Sequence, residues 1–413
     1  MIRMEEAKER FLLVGVSEQD GDDAKDSIEE LKALAETAGA QSVGILIQNR
    51  ERMHPATYVG KGKIEEIREL LFKTDADGII CDDELSPAQL RNLSDLLETK
   101  VMDRTLVILD IFAMRASTSE GKIQAELAQL KYRAARLVGM GRAMSRLGGG
   151  IGTRGPGEKK LETDRRLIGN RISQLKRELS EVRRHREITR EQRIRSGIPV
   201  AAIVGYTNAG KSTFLNAMTG AGVLEEDMLF ATLDPTTRLL ELPGRQQILL
   251  TDTVGFIRKL PHHLVEAFQS TLEEAKYADY ILHVVDASNK DADMQMHIVY
   301  ETLRRLGVED KKIVTLFNKQ DAREDGEALH DFQADHTIAV SAKYGSGLDQ
   351  VKDVLALLLR EEKILVERLI PYQNAGVLQL VRKQGELLEE SYEENGIWIR
   401  AYVPMEVYGK LDS

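Results

Sequence analysis

The sequence predicts an α/β protein: a mostly parallel sheet with helices on both faces, preceded by a second α/β region and a helical hairpin, and followed by a small α+β region. Three observations predict it. An apolar run, a glycine-bracketed loop and a helical pattern follow one another at 200–218. The first 112 residues alternate strand and helix patterns, which argues for a parallel sheet under helices. Two heptad seams flank a glycine-rich tract at 139–157, which argues for two antiparallel helices. The expected divisions are 1–112, 113–196, 197–364 and 365–413.

In the first region Phe11–Val16, Ser42–Ile47 and Gly78–Cys81 read as strands. Ile28, Leu31, Leu34 and Ala35 are spaced as one helix face, and Ile64, Ile67, Leu70 and Leu71 as another. Ser86 and Pro87 read as the N-cap and first turn of a third helix. Val101–Arg104 and Leu106–Leu109 read as further extended, apolar chain. Gly60-Lys61-Gly62-Lys63 stands before a helix and reads as a surface turn, with RNA phosphate as its alternative ligand.

The hairpin seams are Ile123, Leu127, Leu130, Ala134, Leu137 and Ile168, Ile172, Leu175, Leu179, Val182. Residues 131–195 hold 19 Lys or Arg against 7 Asp or Glu, a net of +12. The whole chain carries −10, so the remainder carries −22. A basic arm on an acidic protein is an electrostatic footprint for polyphosphate. Its tip, Gly148–Gly152 with Arg154, suits irregular folded RNA, which is recognised by shape and backbone.

The central region holds Gly205-Tyr206-Thr207-Asn208-Ala209-Gly210-Lys211-Ser212, a phosphate-binding loop between strand and helix. Its glycines let backbone N–H groups curl around phosphate. Lys211 can reach the β- and γ-phosphates, and the Ser212 hydroxyl can ligate Mg²⁺. Leu229-Phe230-Ala231-Thr232-Leu233-Asp234-Pro235-Thr236-Thr237 offers three threonines to close over a γ-phosphate, and the residues alone do not choose among them. Gln247–Asp252 reads as a strand ending in a carboxylate suited to a Mg²⁺-bound water, and Gly255, after Thr253 and Val254, can give its N–H to the γ-phosphate. Val314–Asn318 runs into Asn318-Lys319-Gln320-Asp321, whose aspartate matches the N1–H and 2-amino donors of guanine but not adenine. Ser341-Ala342-Lys343 ends the strand pattern His336–Val340 and can offer backbone to the guanine oxygen. Four such stretches, each at a strand end, stand where open α/β sheets bind ligands.

A helix is expected from Leu348 to Ile364, another over Val377–Arg382, and a strand over Ile397–Val403. Trp398 and Tyr402 share a face of that strand, with core packing expected for at least one. Cys81 is the single cysteine, which excludes disulfides and a cysteine metal cluster. No run of 18 apolar residues exists, so no spanning helix is expected. The first residues show no apolar signal-peptide stretch, and a cytoplasmic location is expected, with at most peripheral membrane association.

With these motifs the chain resembles translation-factor-class P-loop GTPases, and most closely the HflX family. The phosphate loop, Asp252/Gly255, Asn318–Asp321 and Ser341–Lys343 carry the first resemblance. Leu229–Arg238 and Gly148–Glu162, with the order of the four regions, carry the second. The resemblance covers essentially the whole chain. It implies GTP hydrolysis with Mg²⁺, with Ser212 and Thr232 at the metal and Lys211, Thr232, Asp252 and Gly255 in catalysis. It places Phe230, Ala231, Thr232, Leu233 and Asp234 in the nucleotide-contacting part of the first switch. It implies binding to the 50S subunit and its rRNA, and splitting or rescue of stalled 70S ribosomes; a monomer is expected. An RNA-binding 50S assembly or anti-association factor with GTP as timer is the alternative. Phe256 occupies the place where many GTPases carry a water-orienting glutamine, so slow intrinsic turnover is expected. Asn208 resembles a K⁺-coordinating position of related GTPases.

Overall fold

The inner parallel strands of this chain are apolar runs covered on both faces, and the edge strands are only partly covered. The computed structural model describes residues 8–18, 23–144, 156–220, 229–230, 234–259, 269–308, 310–323, 329–361 and 363–411. The chain divides into two compact units. The first comprises Met1–Arg184, Asp227–Asp234 and Ile257–Gln269; the second comprises His185–Glu226, Pro235–Phe256 and Ser270–Ser413.

The first unit opens with β1 (Arg10–Ser17), α1 (Asp23–Thr37), β2 (Gln41–Asn49), α2 (Lys61–Thr74), β3 (Gly78–Cys81), α3 (Pro87–Leu97), β4 (Lys100–Asp103) and α4 (Arg104–Arg115). The four strands form one parallel sheet in the order β2-β1-β3-β4. Leu12, Val14, Ile79 and Cys81 pack with Ile64, Ile67 and Leu93 in its core. Helix α3 starts as its sequence predicts, in a capping box: Ser86 Oγ accepts from Gln89 N at 3.2 Å, and Gln89 Oε1 accepts from Ser86 N at 2.9 Å.

Leu106–Leu109 corrects the sequence reading: it is helix, not extended chain. Asp103 Oδ1 accepts from Leu106 N at 2.9 Å and caps α4, while Val107, Ile108, Leu109, Ile111 and Phe112 are all buried. A short continuous apolar run carries no period to distinguish helix from strand. Helices α5 (Ser119–Met144) and α6 (Pro156–Ser196) form the hairpin, and Leu127, Leu175 and Leu179 pack with Ile123, Leu130 and Ile172 from the two seams. Arg171 grips Glu126 through two bonds of 2.7 and 2.8 Å. The glycine-rich tip, 145–155, lies outside the described residues.

The second unit holds β5 (Val200–Gly205), α7 (Lys211–Thr219), β6 (Thr236–Glu241), β7 (Gln247–Asp252), α8 (Gln269–Tyr277), β8 (Tyr280–Asp286), α9 (Ala292–Arg305), β9 (Lys312–Asn318), β10 (His336–Ala339) and α10 (Leu348–Glu361). The sheet order is β10-β9-β8-β5-β7-β6, parallel except for the antiparallel edge pair β6–β7. Ile203, Phe214, Leu250, Leu282, Leu316 and Leu355 are among the residues of its core.

Helix α10 ends at Glu361, and Ile364 begins a strand instead of closing the helix as the apolar stripe suggested. That strand, β11 (Ile364–Ile370), joins α11 (Ala375–Gln384), β12 (Glu386–Glu393), β13 (Gly396–Val403) and α12 (Met405–Leu411). The sheet is antiparallel, in the order β11-β13-β12. Its buried face is Ile397, Ile399, Ala401 and Val403, packed on Leu378, Val381 and Val407. Trp398 and Tyr402 alternate onto the opposite, half-exposed face, so neither is a core residue. Tyr402 instead lies under the Arg360 guanidinium, 5.0 Å from its ring centroid. Among the described residues no helix is long and apolar enough to cross a membrane.

Candidate functional site

The phosphate loop leaves β5 at Gly205, whose φ of +156° and closeness to β8 both require glycine: a Cβ there would lie 2.2 Å from the Val284 carbonyl oxygen. Gly210 ends the loop at φ +91° as the N-cap of α7, with no side-chain cap, so the first helical N–H groups face the loop. Asn208 lies between them in the left-handed region (φ 61°) and is exposed. Lys211 is buried, and its Nζ donates to the Tyr206 carbonyl at 2.8 Å. Burial pushes its pKa down to about 8, against the pull of Asp252. The Ser212 hydroxyl donates to Asp252 Oδ2 at 2.8 Å, and the Asp252 side chain is buried. Thr207 Oγ1 is buried with no hydrogen-bond partner among the described residues.

The stretch after β7 closes over this loop. Thr253 Oγ1 donates to the Ile203 carbonyl at 2.7 Å, and Val254 is buried beside it. Phe256 N donates to Gly205 O at 3.1 Å, and Thr207 N donates to Phe256 O at 2.8 Å. A Cβ on Gly255 would lie 2.7 Å from Thr207 Cγ2 and 2.9 Å from Lys211 Nζ, so only glycine passes there. The Phe256 ring is buried and has no polar atom to offer a water.

The buried Asn318 side chain ties the base-side loops to the phosphate loop. Asn318 Nδ2 donates to Ala209 O at 2.9 Å, and Asn318 Oδ1 accepts from Ala342 N at 2.9 Å. Lys319 takes the left-handed region (φ 61°), and its Nζ pairs with Asp286 at 2.8 Å. Gln320 Nε2 donates to the Phe317 carbonyl at 3.2 Å. Asp321 is exposed, and its Oδ1 accepts from Ser341 Oγ at 2.5 Å. Ala342 is buried and Lys343 exposed, with the Lys343 ammonium 5.3 Å from the Tyr344 ring centroid. The four stretches of the second unit that the sequence singles out are thus joined by hydrogen bonds at strand ends. Asp286 was missed; an apolar strand ending in a carboxylate, Tyr280–Asp286, was its signal.

The remaining predicted residues belong to the first unit. Phe230 is buried at φ 56°, edge-on to Phe112 with ring centroids 4.7 Å apart. Asp234 is bonded within the first unit. Its Oδ2 accepts from Ser117 N, Ser117 Oγ and Thr118 N at 2.9, 2.6 and 2.8 Å, and its Oδ1 from Thr118 Oγ1 at 2.5 Å. Burial alone would raise its pKa, but these bonds hold the carboxyl below the usual range. Ala231, Thr232 and Leu233 lie outside the described residues.

Residues 25–113 match the family model for the N-terminal part of a GTP-binding GTPase, residues 115–193 its middle region, and residues 200–319 a 50S ribosome-binding GTPase. A GTPase HflX of Lacrimispora saccharolytica is 64% identical over 411 residues, covering 100% of this chain and 97% of the relative. The chain belongs to the HflX GTPase family. An HflX of Caldanaerobacter subterraneus is 48% identical over 404 residues, covering 98% of this chain and 93% of the relative. The HflX of Escherichia coli is 40% identical over 394 residues, covering 95% and 92%. The protein is therefore a GTPase with the α/β P-loop fold, and HflX membership accounts for the regions before the GTPase domain as well as for the domain itself.

Proposed function

We propose that the protein binds the 50S subunit and splits or rescues stalled 70S ribosomes, with GTP hydrolysis stimulated by the ribosome. The supporting observation is a phosphate loop braced by Asn318 to the Ser341–Lys343 loop, in a chain that matches a 50S ribosome-binding GTPase model over 200–319. In this reading Gly205–Ser212 cradles the phosphates, and Lys211 exchanges the Tyr206 carbonyl for β- and γ-phosphate oxygens. Asp321 reads the guanine N1–H and 2-amino group, while Asn318 sets the distance between base loop and phosphate loop. Ser341, Ala342 and Lys343 back the base with main chain.

Ser212 Oγ and the Asp252 carboxylate are adjacent hard oxygen donors, which fits Mg²⁺. Ser212 and Thr232 would hold the ion, and Asp252 one of its waters. When bound, Mg²⁺ offsets charge on the β- and γ-phosphate oxygens. Asn208, exposed on the loop with a carboxamide oxygen, suits K⁺ in the same electrostatic role; equal rates in K⁺ and Na⁺ remove that part of the reading.

Gly255 donates its N–H to the γ-phosphate, so hydrolysis frees the segment that holds it. Phe256 gives no help to the attacking water, which leaves intrinsic turnover slow and makes the ribosome the partner that orders the switch. The basic arm, net +12 over 131–195, docks on rRNA. Sucrose gradients of 70S particles with GTP, GDP or a non-hydrolysable analogue test this. Splitting is expected with GTP and the analogue, and is expected to fail in a variant lacking residues 148–157. Intact 70S particles in every nucleotide would leave only an assembly or anti-association role, and splitting by the deletion variant would move the active contact off the tip.

A further inference from the structure

Strand β8 is buried from Tyr280 to Val285 and ends on a carboxylate, Asp286. In the parallel pairing with β9, Asp286 stands opposite Asn318, and Ala287 N donates to Asn318 O at 2.8 Å. The chain therefore leaves β9 for the base-side loop directly beside this carboxylate. Both strands and the loop belong to the second unit.

Asp286 is set by its own turn. Its Oδ1 accepts from Ser288 N at 3.0 Å and from Ser288 Oγ at 2.6 Å, the pattern of an Asx turn. Its Oδ2 faces the Lys319 ammonium at 2.8 Å. The Asp286 and Lys319 side chains are 14% and 31% exposed, so the pair is screened less than one on the open surface.

Lys319 is held at the main chain as well. It takes the left-handed region (φ 61°, ψ 34°), which is uncommon for a residue with a Cβ. Neighbouring bonds keep it there: Gln320 N donates to Val340 O at 3.3 Å, and Ala322 N donates to Lys319 O at 2.9 Å. With backbone and ammonium both fixed, the methylene stem between them has little rotamer freedom. A lysine without such anchors is ordered only when a ligand packs on it, and that ordering costs affinity. Asp321, two residues further on, is exposed in the same loop.

We propose that Asp286 is a positioning residue for guanine recognition: through its ion pair it holds the Lys319 stem in place before nucleotide arrives, as a ready wall for the purine ring whose edge Asp321 reads. The inference rests on that reading of Asp321. Asp286 acts only through Lys319. The base is common to GDP and GTP, so the pair serves both equally and leaves the chemical step alone.

The test uses the full chain, with Asp286→Asn, Lys319→Met and the double variant. Asparagine keeps an acceptor for Ser288 and loses the charge; methionine keeps an unbranched stem and loses the ammonium. Asp286→Asn is expected to weaken GDP and a non-hydrolysable GTP analogue alike, by about two- to tenfold, the cost of ordering one long side chain on binding. The KM for GTP is expected to rise by the same factor with kcat unchanged. Lys319→Met is expected to match it in affinity, and the double variant to add nothing further. A role confined to fold stability would instead lower the unfolding midpoint and the active fraction, hence the apparent kcat, and leave KM alone. Unchanged affinity in Asp286→Asn, additive losses in the double variant, unequal losses for GDP and the analogue, or a fall in kcat with KM unmoved would each overturn the proposal. Inosine diphosphate tests the underlying reading separately. It lacks the 2-amino group, so the parent is expected to bind GDP more tightly, Asp321→Asn to lose that preference, and Asp286→Asn to keep it at lowered affinity for both. Equal affinity of the parent for the two diphosphates sinks the reading of Asp321, while the Asp286–Lys319 cycle still reads out on either one.

Discussion

Asn318→Ala removes a buried side chain that joins the phosphate loop to the base loops. Two bonds are lost, to Ala209 O and from Ala342 N, both at 2.9 Å and both at buried groups. Alanine offers neither donor nor acceptor, so a carbonyl and an N–H are left without partners. Each such group costs about 1–3 kcal/mol, and water entering the gap recovers part of that, so about 2–4 kcal/mol is expected overall. Nucleotide binding must restore the spacing that Asn318 set without help, so most of the cost falls on affinity: about 30- to 1000-fold for GDP. Titration with a fluorescent GDP analogue reads this directly, and thermal unfolding without nucleotide reads the share borne by the fold. A GDP affinity within threefold of the parent, with unchanged unfolding, would refute the brace and the order-of-magnitude reasoning behind it.

Lys211, with its pKa pushed down to about 8 by burial, is expected to regain its proton when phosphate arrives. Calorimetry in buffers of different ionisation enthalpy should show proton uptake on GDP binding that grows above pH 8 and vanishes near pH 6. Gly205→Ala places a methyl 2.2 Å from the Val284 carbonyl and is expected to cost about 2–4 kcal/mol of stability, read from the urea midpoint. Burial alone would raise the pKa of Asp331, but His283, and the 2.6 Å bonds from Thr315 and Tyr300, hold it well below the carboxylate range. A depressed carboxyl contributes stability that is present at neutral pH and lost as pH falls below about 4. Asp331→Asn should therefore destabilise at pH 7 and flatten the acid limb of the stability profile; a parallel acid limb would contradict the assignment.

Strand ends and glycine loops were legible in the sequence because they are local. Gly205, Gly210 and Ser86 each sit where backbone geometry or a cap demands that residue type, and the structure meets each demand. Leu106–Leu109 was not legible, because four consecutive apolar residues, three of them fully buried, carry no polar stripe to mark a helical period. Trp398 and Tyr402 were misread for a different reason: strand alternation shows which residues share a face, but not which face is covered. Asp234 illustrates a third limit. Its motif was legible, but its partners Ser117 and Thr118 lie over a hundred residues away, and nothing local announces them.

The proposed function requires the nucleotide to set how firmly the chain holds ribosomal RNA. The most direct measurement is the affinity for isolated 50S subunits at fixed salt, with a non-hydrolysable GTP analogue and then with GDP. At least about tenfold tighter binding with the analogue is expected, since smaller coupling would not switch an RNA complex between held and released. Equal affinity in the two states would contradict the account.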